Sequence, residues 1–414
     1  MDSDSGISDG SIMGVGLPAK LRHRIAAASF FFLLGCGFSC WASRIADIRA
    51  AMGLSDDMLG MVLFAIPVGT FFGMSFSGYV VTRFGSRNVL TAAAILYPTA
   101  LACLGLVTEV WQLCLGLFFF GICGNLCNIS INTQAVGVEK IYGRSIMATF
   151  HGVWSLAGFL GGVLSIRIVS AGVTVFWHFM MLYALAVILL ILMRRHLLAE
   201  DPPVPNAAAA SERRRRIFRP DAYIATLGFI AFCCMACEGT MFDWSVIYFQ
   251  DIVKAPKGWQ IYGFAAFMCA MAAGRFTADR LVTRFGPIRV IQASGLVIAS
   301  GLSTAVALPY FAPSCFGFAL VGFGVSSIVP LCYSLAGRSR TMSTGAALTG
   351  VSSIGFFGFL MGPPVIGFVS EALSLRWSFT LILFVGLTAT FLAPRLKRLN
   401  AGAAQGAAEA PAGE

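Results

Sequence analysis

Twelve apolar segments, each long enough to cross a lipid bilayer, follow one another along this 414-residue chain. A transmembrane α-helix needs about 20 consecutive, mostly apolar residues to span the hydrocarbon core. Charged or turn-forming residues separate the segments, which cover approximately residues 24–48, 57–82, 88–108, 111–136, 146–169, 174–193, 221–249, 258–282, 288–309, 313–336, 343–369 and 375–394. The runs are continuous and do not alternate between apolar and polar residues, which excludes a transmembrane β-barrel. We therefore predict an all-α membrane protein with twelve transmembrane helices.

Charged residues are scarce and lie mostly between the segments. Hydrophobic residues make up 57% of the sequence and charged residues 12%, whereas a soluble domain carries roughly 25% charged residues. The net charge of +10 comes from basic residues in short connectors, so we expect no nucleic-acid partner. The 12 Cys residues fall inside or at the edges of apolar segments. That placement favours a packing role, and we predict no metal site and no cofactor.

The distribution of basic residues predicts the orientation of the helices. If the N-terminus is cytoplasmic, 21 of the 29 Lys and Arg residues fall on the cytoplasmic side and six fall on the outer side. Short cytoplasmic loops of membrane proteins are enriched in Lys and Arg. A missed or extra helix early in the chain would remove this bias. We therefore expect an even number of helices, with both termini in the cytoplasm.

The longest hydrophilic connector divides the chain into two halves. It contains three prolines between residues 202 and 205 and four consecutive arginines at 213–216. These arginines either bind anionic membrane lipid or fix the topology. The predicted units are a disordered N-terminus at 1–20, a six-helix bundle at 21–195, a cytoplasmic linker at 196–219, a second six-helix bundle at 220–396 and a disordered tail at 397–414.

An internal repeat relates these two halves. Residues 81–85 read Val-Thr-Arg-Phe-Gly, and residues 282–286 read the same, at an offset of 201 residues. At that offset Gly73 also matches Gly274. Parallel repeats of six helices are typical of one transporter architecture, in which the solute site lies near the membrane midplane between the halves. We therefore predict two pseudo-symmetric bundles.

The repeated motif also carries a resemblance to a known family. Residues 78–87 resemble the loop motif of the major facilitator superfamily, although Thr82 stands where that family usually has an acid. Residues 39–44, 151–156, 238–244 and 362–367 resemble its YbjJ-like bacterial branch, which is related to the fucose permeases. The resemblance implies alternating access in a bacterial inner membrane by a multi-pass protein that functions as a monomer.

Two positions depart from the fucose permeases. Those proteins use acids in helices one and four for sugar binding and proton coupling, and this sequence has Ala42 and Asn128 there. A fucose-type mechanism is therefore not expected.

Acidic residues in helix seven are candidates for proton coupling. Ionisable residues within membrane segments are costly and usually face the interior of the bundle. Glu238 and Asp243 are five residues apart, which places them about 140° apart around a helix, so both cannot face one point. Glu238 lies nearer the midplane. Either acid is a candidate proton carrier, and the alternative for Glu238 is a carboxylate that is permanently paired with Arg44 or capped by Ser.

Polar and aromatic side chains of several helices are candidates for the solute cavity. Asn125, Asn128 and Asn132 share one face of helix four because they are spaced three and four residues apart. They bind a polar solute or, alternatively, form hydrogen bonds between helices. The other predicted cavity residues are Trp41, Trp154, Ser155 and Trp244.

Basic residues near the helix ends are candidates for gates. Arg44 is expected to close an outer gate with Asp243 or Glu238, or to pair locally with Asp47. Asp279 is expected to lock the cytoplasmic side by pairing with a base of its own motif or with Arg144. The remaining predicted gate or structural charges are Arg83, Arg87, His151, Arg275, Arg280 and Arg284.

The sequence contains no enzyme constellation. It has no Walker A sequence, no G-x-S-x-G in a hydrophilic setting and no His pair at metal-ligand spacing. We therefore predict secondary transport of a small polar organic solute, with the proton as coupling ion. The alternatives are an uncoupled facilitator and a sensor or structural membrane protein that does not transport.

Overall fold

The computed structural model describes residues 18–143, 146–199, 221–337, Ser339 and 344–409, without the side chains of Ala148, Asp279, Thr349, 344–346 and 400–409. Twelve helices in this part of the chain are long and apolar enough to cross a membrane, which confirms the predicted number. Their bounds are α1 Ala19–Met52, α2 Asp56–Phe84, α3 Ser86–Leu104, α4 Val110–Tyr142, α5 Met147–Ser170, α6 Val175–Met193, α7 Ala222–Asp251, α8 Tyr262–Phe285, α9 Pro287–Ala307, α10 Phe311–Ala336, α11 Thr344–Ala372 and α12 Leu375–Glu409. The described residues include no β-strand.

The two halves pack in the same pattern. In the first half α1 packs on α5, α2 on α4 and α3 on α4; in the second half α7 packs on α11, α8 on α10 and α9 on α10. The equivalence extends to the backbone, because α2 and α8 end at Gly85 and Gly286 with φ of 80° in both cases. A side chain is strained at that φ, so the repeat keeps glycine there. The predicted pair of pseudo-symmetric bundles is confirmed.

Two elements differ from the sequence-based expectation. Helix α2 is interrupted at Phe64. The reason is Pro67, which has no N–H to donate to the carbonyl of Leu63. Helix α12 continues to Glu409, although the sequence predicted a disordered tail from residue 397. The Ala-rich composition explains this extension, since Ala has the highest helix propensity. Residues 200–220 of the predicted linker lie outside the described residues.

The ends of the helices define two faces of the molecule. We call the end where α1 and α7 begin the terminus face, and the end where they finish the distal face. Near the distal face α2 and α11 come into close contact, because a Cβ on Gly60 would lie only 2.7 Å from the carbonyl oxygen of Pro363. Gly367 faces the same contact. The two bundles therefore meet tightly at the distal face.

Candidate functional site: a central cavity between the two bundles

A cavity of about 460 Å³ lies between the two bundles. Helices α1 to α5 form one wall, and α7, α8 and α11 form the other. The lining residues are Phe31, Leu34, Phe38, Ile66, Thr70, Tyr97, Phe120, Gly121, Gly124, Asn125, Asn128, His151, Trp154, Met235, Glu238, Arg275 and Phe359. Most of the wall is thus apolar or aromatic, with a small set of polar groups, which is the usual make-up of a site for a small organic molecule.

The charged part of the cavity is an ion pair between α7 and α8. A guanidinium nitrogen of Arg275 lies 3.5 Å from a carboxylate oxygen of Glu238. Arg275 also donates a hydrogen bond to the hydroxyl of Ser155, and its guanidinium carbon lies 5.6 Å from the ring centre of Trp154. Ser155 and Trp154 belong to α5, in the other bundle. Arg275 therefore connects the second half of the molecule to the first across the cavity.

The amides predicted for the cavity divide into two groups. Asn125 and Asn128 line the cavity, and the side-chain oxygen of Asn125 accepts a hydrogen bond of 2.7 Å from Ser77. Asn132 does not line it. Its amide instead donates to the carbonyl and side-chain oxygens of Asn128, at 2.7 and 2.9 Å. Asn132 therefore orients Asn128 and does not face the space that a solute would fill.

Aromatic rings stand on the distal side of the cavity. Phe242 lies one helical turn beyond Glu238, and its ring lies 4.6 Å from Phe38 of α1 and 6.2 Å from Trp154 of α5. The rings of Phe267 in α8 and Phe359 in α11 lie 5.6 and 6.4 Å from it. The cluster therefore brings rings of both bundles into contact beside the cavity.

A network of ion pairs at the distal face joins the bundles above this cluster. Arg49 at the end of α1 lies 2.5 Å from Asp56 of α2 and also pairs with Asp251 at the end of α7. Asp56 accepts a hydrogen bond from Ser370, and its backbone N–H donates to Glu371 at 3.1 Å, both in α11. Four helix ends from the two halves are therefore held together by charge.

Sequence reasoning missed this network, although a signal for it was present. Arg49 and Asp251 are 202 residues apart, one residue from the repeat offset of 201. A base and an acid therefore stand at nearly equivalent positions, at the ends of the first helix of each half. Charges of opposite sign at equivalent ends of paired helices can meet across the pseudo-two-fold axis.

The structure decides between the two partners predicted for Arg44. This side chain pairs with Asp47 at 2.6 Å, which is the local alternative, and not with Glu238 or Asp243. It also donates to His178 at 2.9 Å and to the carbonyl of Val173 at 2.6 Å. All three partners belong to the first bundle. Arg44 therefore stabilises that bundle, and it is Arg49 that pairs with an acid of the other half, Asp251.

Other predicted site residues lie away from the cavity. Asp243, Trp41 and Trp244 are buried in the bundles at 5%, 1% and 0% exposure, and none of them lines the cavity. Conversely, His151 and Arg275 were predicted as gate charges but line the cavity. Successive residues point in directions about 100° apart around a helix. The sequence alone does not show which of these directions faces the cavity.

The motif charges at the terminus face are only partly described. Arg83, Arg280 and Arg284 are exposed, with the Arg284 guanidinium 5.3 Å from the Phe285 ring centre, and Arg87 is partly buried. Arg144 and the side chain of Asp279 lie outside the described residues, so the predicted lock between them stays a prediction. Within the described ranges, His, Cys, Asp and Glu residues form no group of three or more that could hold a metal ion.

Two six-helix bundles that meet at one face and enclose a cavity near the middle of their helices define a polytopic membrane protein with the architecture of secondary transporters. The model of the Major Facilitator Superfamily matches residues 25–338 and 254–413. The chain therefore belongs to the Major Facilitator Superfamily, as its loop motif indicated.

Similar proteins agree with this assignment. An uncharacterized MFS-type transporter of Yersinia pestis is 29% identical over 373 residues, which cover 90% of this chain and 94% of that protein. The crystal structure of a D-xylose-proton symporter shares the fold with a TM-score of 0.70 and 13% identity, covering 91% of this chain and 97% of the other. The crystal structure of the transporter FucP in the outward conformation has a TM-score of 0.60 and 15% sequence identity to this chain. The match covers 92% of this chain and 99% of the other.

Proposed function

We propose that this protein moves a small organic solute across a bacterial inner membrane by alternating access, driven by a proton gradient. The observation that carries the proposal is the cavity between the bundles, in which Glu238 of one bundle meets Arg275, and Arg275 in turn contacts Ser155 of the other bundle. A solute that enters this cavity touches both bundles, so its binding can change their relative orientation. The distal network is closed in this structure, which corresponds to one of the two states that alternating access requires.

Glu238 is the proposed proton carrier. It is the only carboxylate among the described residues that line the cavity, and an intramembrane acid is a functional candidate by default. A structural neighbour with the same fold is described as a proton symporter, which supports the proton as coupling ion. In this proposal the terminus face is cytoplasmic, as the distribution of basic residues predicts, and the protein works as a monomer.

Flux measurements in proteoliposomes test the proposal. The purified protein is reconstituted with a pH-sensitive dye inside the vesicles, and solutes chosen by a thermal-shift screen are added outside. A ligand that binds the folded state raises the unfolding temperature, and the rise grows with the ratio of the ligand concentration to its Kd. Solute-dependent proton flux is the expected result. Solute flux without proton flux would indicate an uncoupled facilitator, and a solute that binds without any flux would indicate a sensor.

A further inference from the structure

We infer that the solute of this cavity is an organic monocarboxylate with an apolar body, and that it binds together with one proton at the Glu238–Arg275 pair. The inference rests on the proposed transport function and adds to it a chemical class and a stoichiometry. In the solute-free state Arg275 is paired with ionised Glu238. In the loaded state Glu238 holds the proton, and the carboxylate of the solute replaces it beside Arg275.

The first support is the unused hydrogen-bonding capacity of the pair. A guanidinium has five N–H donors, and Arg275 makes one hydrogen bond to a described residue, namely to Ser155. At 3.5 Å its contact with Glu238 is an ion pair without a hydrogen bond. Both groups line the cavity. The planar fork of a guanidinium matches a carboxylate geometrically, with two parallel N–H···O bonds, so a carboxylate solute can use donors that the protein leaves free.

The second support is the charge balance of the cavity. Glu238 and Arg275 are the only Asp, Glu, Lys or Arg residues among the described lining residues. If Glu238 alone took up a proton, Arg275 would remain as an unpaired positive charge near the membrane midplane, which is costly. If an anion alone entered, the cavity would carry a net negative charge. When proton and anion bind together the cavity stays neutral, so each favours the binding of the other.

The third support is the character of the remaining wall. Apart from the polar groups already described, the cavity is lined mainly by aromatic and aliphatic side chains, and these come from both bundles. They include Phe31, Leu34, Phe38, Ile66, Phe120 and Phe359. A polyhydroxylated solute would lose hydrogen bonds to water against such a wall without replacing them. An apolar body with one carboxylate fits it, and Asn125 or Asn128 can bond to one further polar substituent.

Other titratable groups surround Glu238. Their contribution to the pH dependence of binding has to be distinguished from that of Glu238. His151 of α5 and Tyr97 of α3 face the same cavity. Tyr333 of α10 lies within electrostatic range of the carboxylate, and so do Cys234 and Cys237 of α7 itself. Among these side chains, histidine is the type whose unperturbed pKa lies nearest neutral pH. The pH dependence of binding must therefore persist in His151→Gln if Glu238 is the proton site.

The test compares acids with their own amides on the full-length protein. Benzoate, cyclohexanecarboxylate and indole-3-acetate are matched with benzamide, cyclohexanecarboxamide and indole-3-acetamide, and binding is measured by thermal unfolding. We expect at least one acid to bind at least about tenfold more tightly than its amide. One proton enters with each anion. The Kd of the acid should therefore rise about tenfold per pH unit over the range in which Glu238 of the free protein is ionised. Each acid stays ionised over pH 6–8, so the slope reports the protein.

Variants assign this behaviour to the pair. Glu238→Gln mimics the protonated state and should bind the acid independently of pH, as tightly as the wild type does at low pH. Arg275→Gln should lose binding by at least about tenfold. The double variant Glu238→Gln/Arg275→Gln leaves no unpaired charge and controls for folding, and its binding of the acid should also fall by at least about tenfold. Proton uptake driven by the acid in wild-type vesicles, in excess of the uptake in protein-free vesicles, should be unchanged by a potassium diffusion potential, because the loaded step carries no net charge.

The inference is overturned if the amides bind as well as the acids, if binding of the acid in the wild type is independent of pH, or if none of the three acids binds. It can fail while the proposed function stands, in which case a neutral or cationic solute from the screen drives proton flux. The reverse is also distinguishable, because pH-dependent binding of an acid without any flux would refute transport and leave the site assignment intact.

Discussion

The two bundles share one fold but differ in what they place at the cavity. At the repeat offset of 201 residues, Glu238 of the second half corresponds to Gly37 of the first, and Arg275 corresponds to Met74. A Cβ on Gly37 would lie 2.3 Å from the ring of Tyr97, and this ring lines the cavity. The position that carries an acid in one half is therefore kept empty in the other so that an aromatic ring can fit.

This difference suggests a division of labour. The first half contributes Asn125, Asn128, Trp154 and the titratable His151, and the second half contributes the ion pair. The two halves have equivalent helices, but among the described lining residues only the second half supplies charged side chains. Under the proposed coupling, protonation of Glu238 in the second half would reach the first half through the contact of Arg275 with Ser155. The four predictions that follow test this asymmetry, from the largest expected effect to the smallest.

Neutralising Glu238 should have the largest effect. In Glu238→Gln we expect solute-dependent proton flux to fall by at least about 100-fold, the scale on which the loss of a positioned proton carrier acts. Asp243, the other acid of α7, is buried but lies outside the cavity. Asp243→Asn should therefore keep proton-coupled flux in the same vesicles. Loss of coupling in Asp243→Asn with normal coupling in Glu238→Gln would reverse the assignment.

Filling the empty position in the first half should destabilise the protein. In Gly37→Ala the new methyl group overlaps the buried ring of Tyr97, and overpacking of this kind costs about 1–3 kcal/mol. Gly78 of α2 is the matched control, because a Cβ there would meet no atom within 4 Å. Gly78→Ala should be neutral or slightly stabilising. Thermal unfolding of both variants in one detergent gives the comparison, and equal unfolding temperatures would argue against the constraint at Gly37.

Removing one amide from the first wall should weaken solute binding moderately. Asn128 lines the cavity and Asn132 does not. A hydrogen bond contributes about 0.5–1.5 kcal/mol, so Asn128→Ala should raise the Kd of the transported solute roughly two- to tenfold, as measured by thermal shift. Asn132→Ala, which loses only the support of Asn128, should have the smaller effect. A larger effect at Asn132 would mean that the solute site extends along that face of α4.

Breaking the distal network should have the smallest effect. Arg49→Ala removes the pairs with Asp56 and Asp251. Ion pairs near a surface contribute about 0.5 kcal/mol each, so the loss of both pairs should raise the population of states open at the distal face by roughly fivefold. A cysteine is introduced near the Phe242 cluster, and the rate at which a reagent labels it from the distal side measures this population. Arg167 in the last turn of α5 is exposed, and Arg167→Ala should leave the labelling rate unchanged. No change in Arg49→Ala would exclude the network as a gate.

Much of the fold follows from local patterns. Runs of about 20 apolar residues predict the helices because a backbone in lipid must satisfy its own hydrogen bonds. The repeated Val-Thr-Arg-Phe-Gly motif predicts the two bundles because its glycine is required at the same backbone turn in each. Local composition was less reliable at the chain end, where the Ala-rich residues of α12 continue the helix to Glu409.

The candidate site was predictable only in part. Asn125, Asn128 and Trp154 were expected in the cavity, and Glu238 was expected in the bundle interior as a proton carrier, since polar groups in apolar helices face the bundle interior. All four line the cavity. Arg44 has carboxylates available both on its own helix and on another, and spacing along the chain does not decide between them. The structure pairs it with Asp47.

The sequence by itself determined that the chain crosses a membrane twelve times, that its halves are related and that an acid stands in the middle of helix seven. Those features depend on length, polarity and repetition, which are properties of consecutive residues. Only the tertiary structure decided that Arg275 meets Glu238 and Ser155 across the cavity, and that Arg49 and not Arg44 joins the bundles. A partner across two helices depends on the rotation and separation of both, and a side chain pairs with the group that this packing brings within a few ångströms.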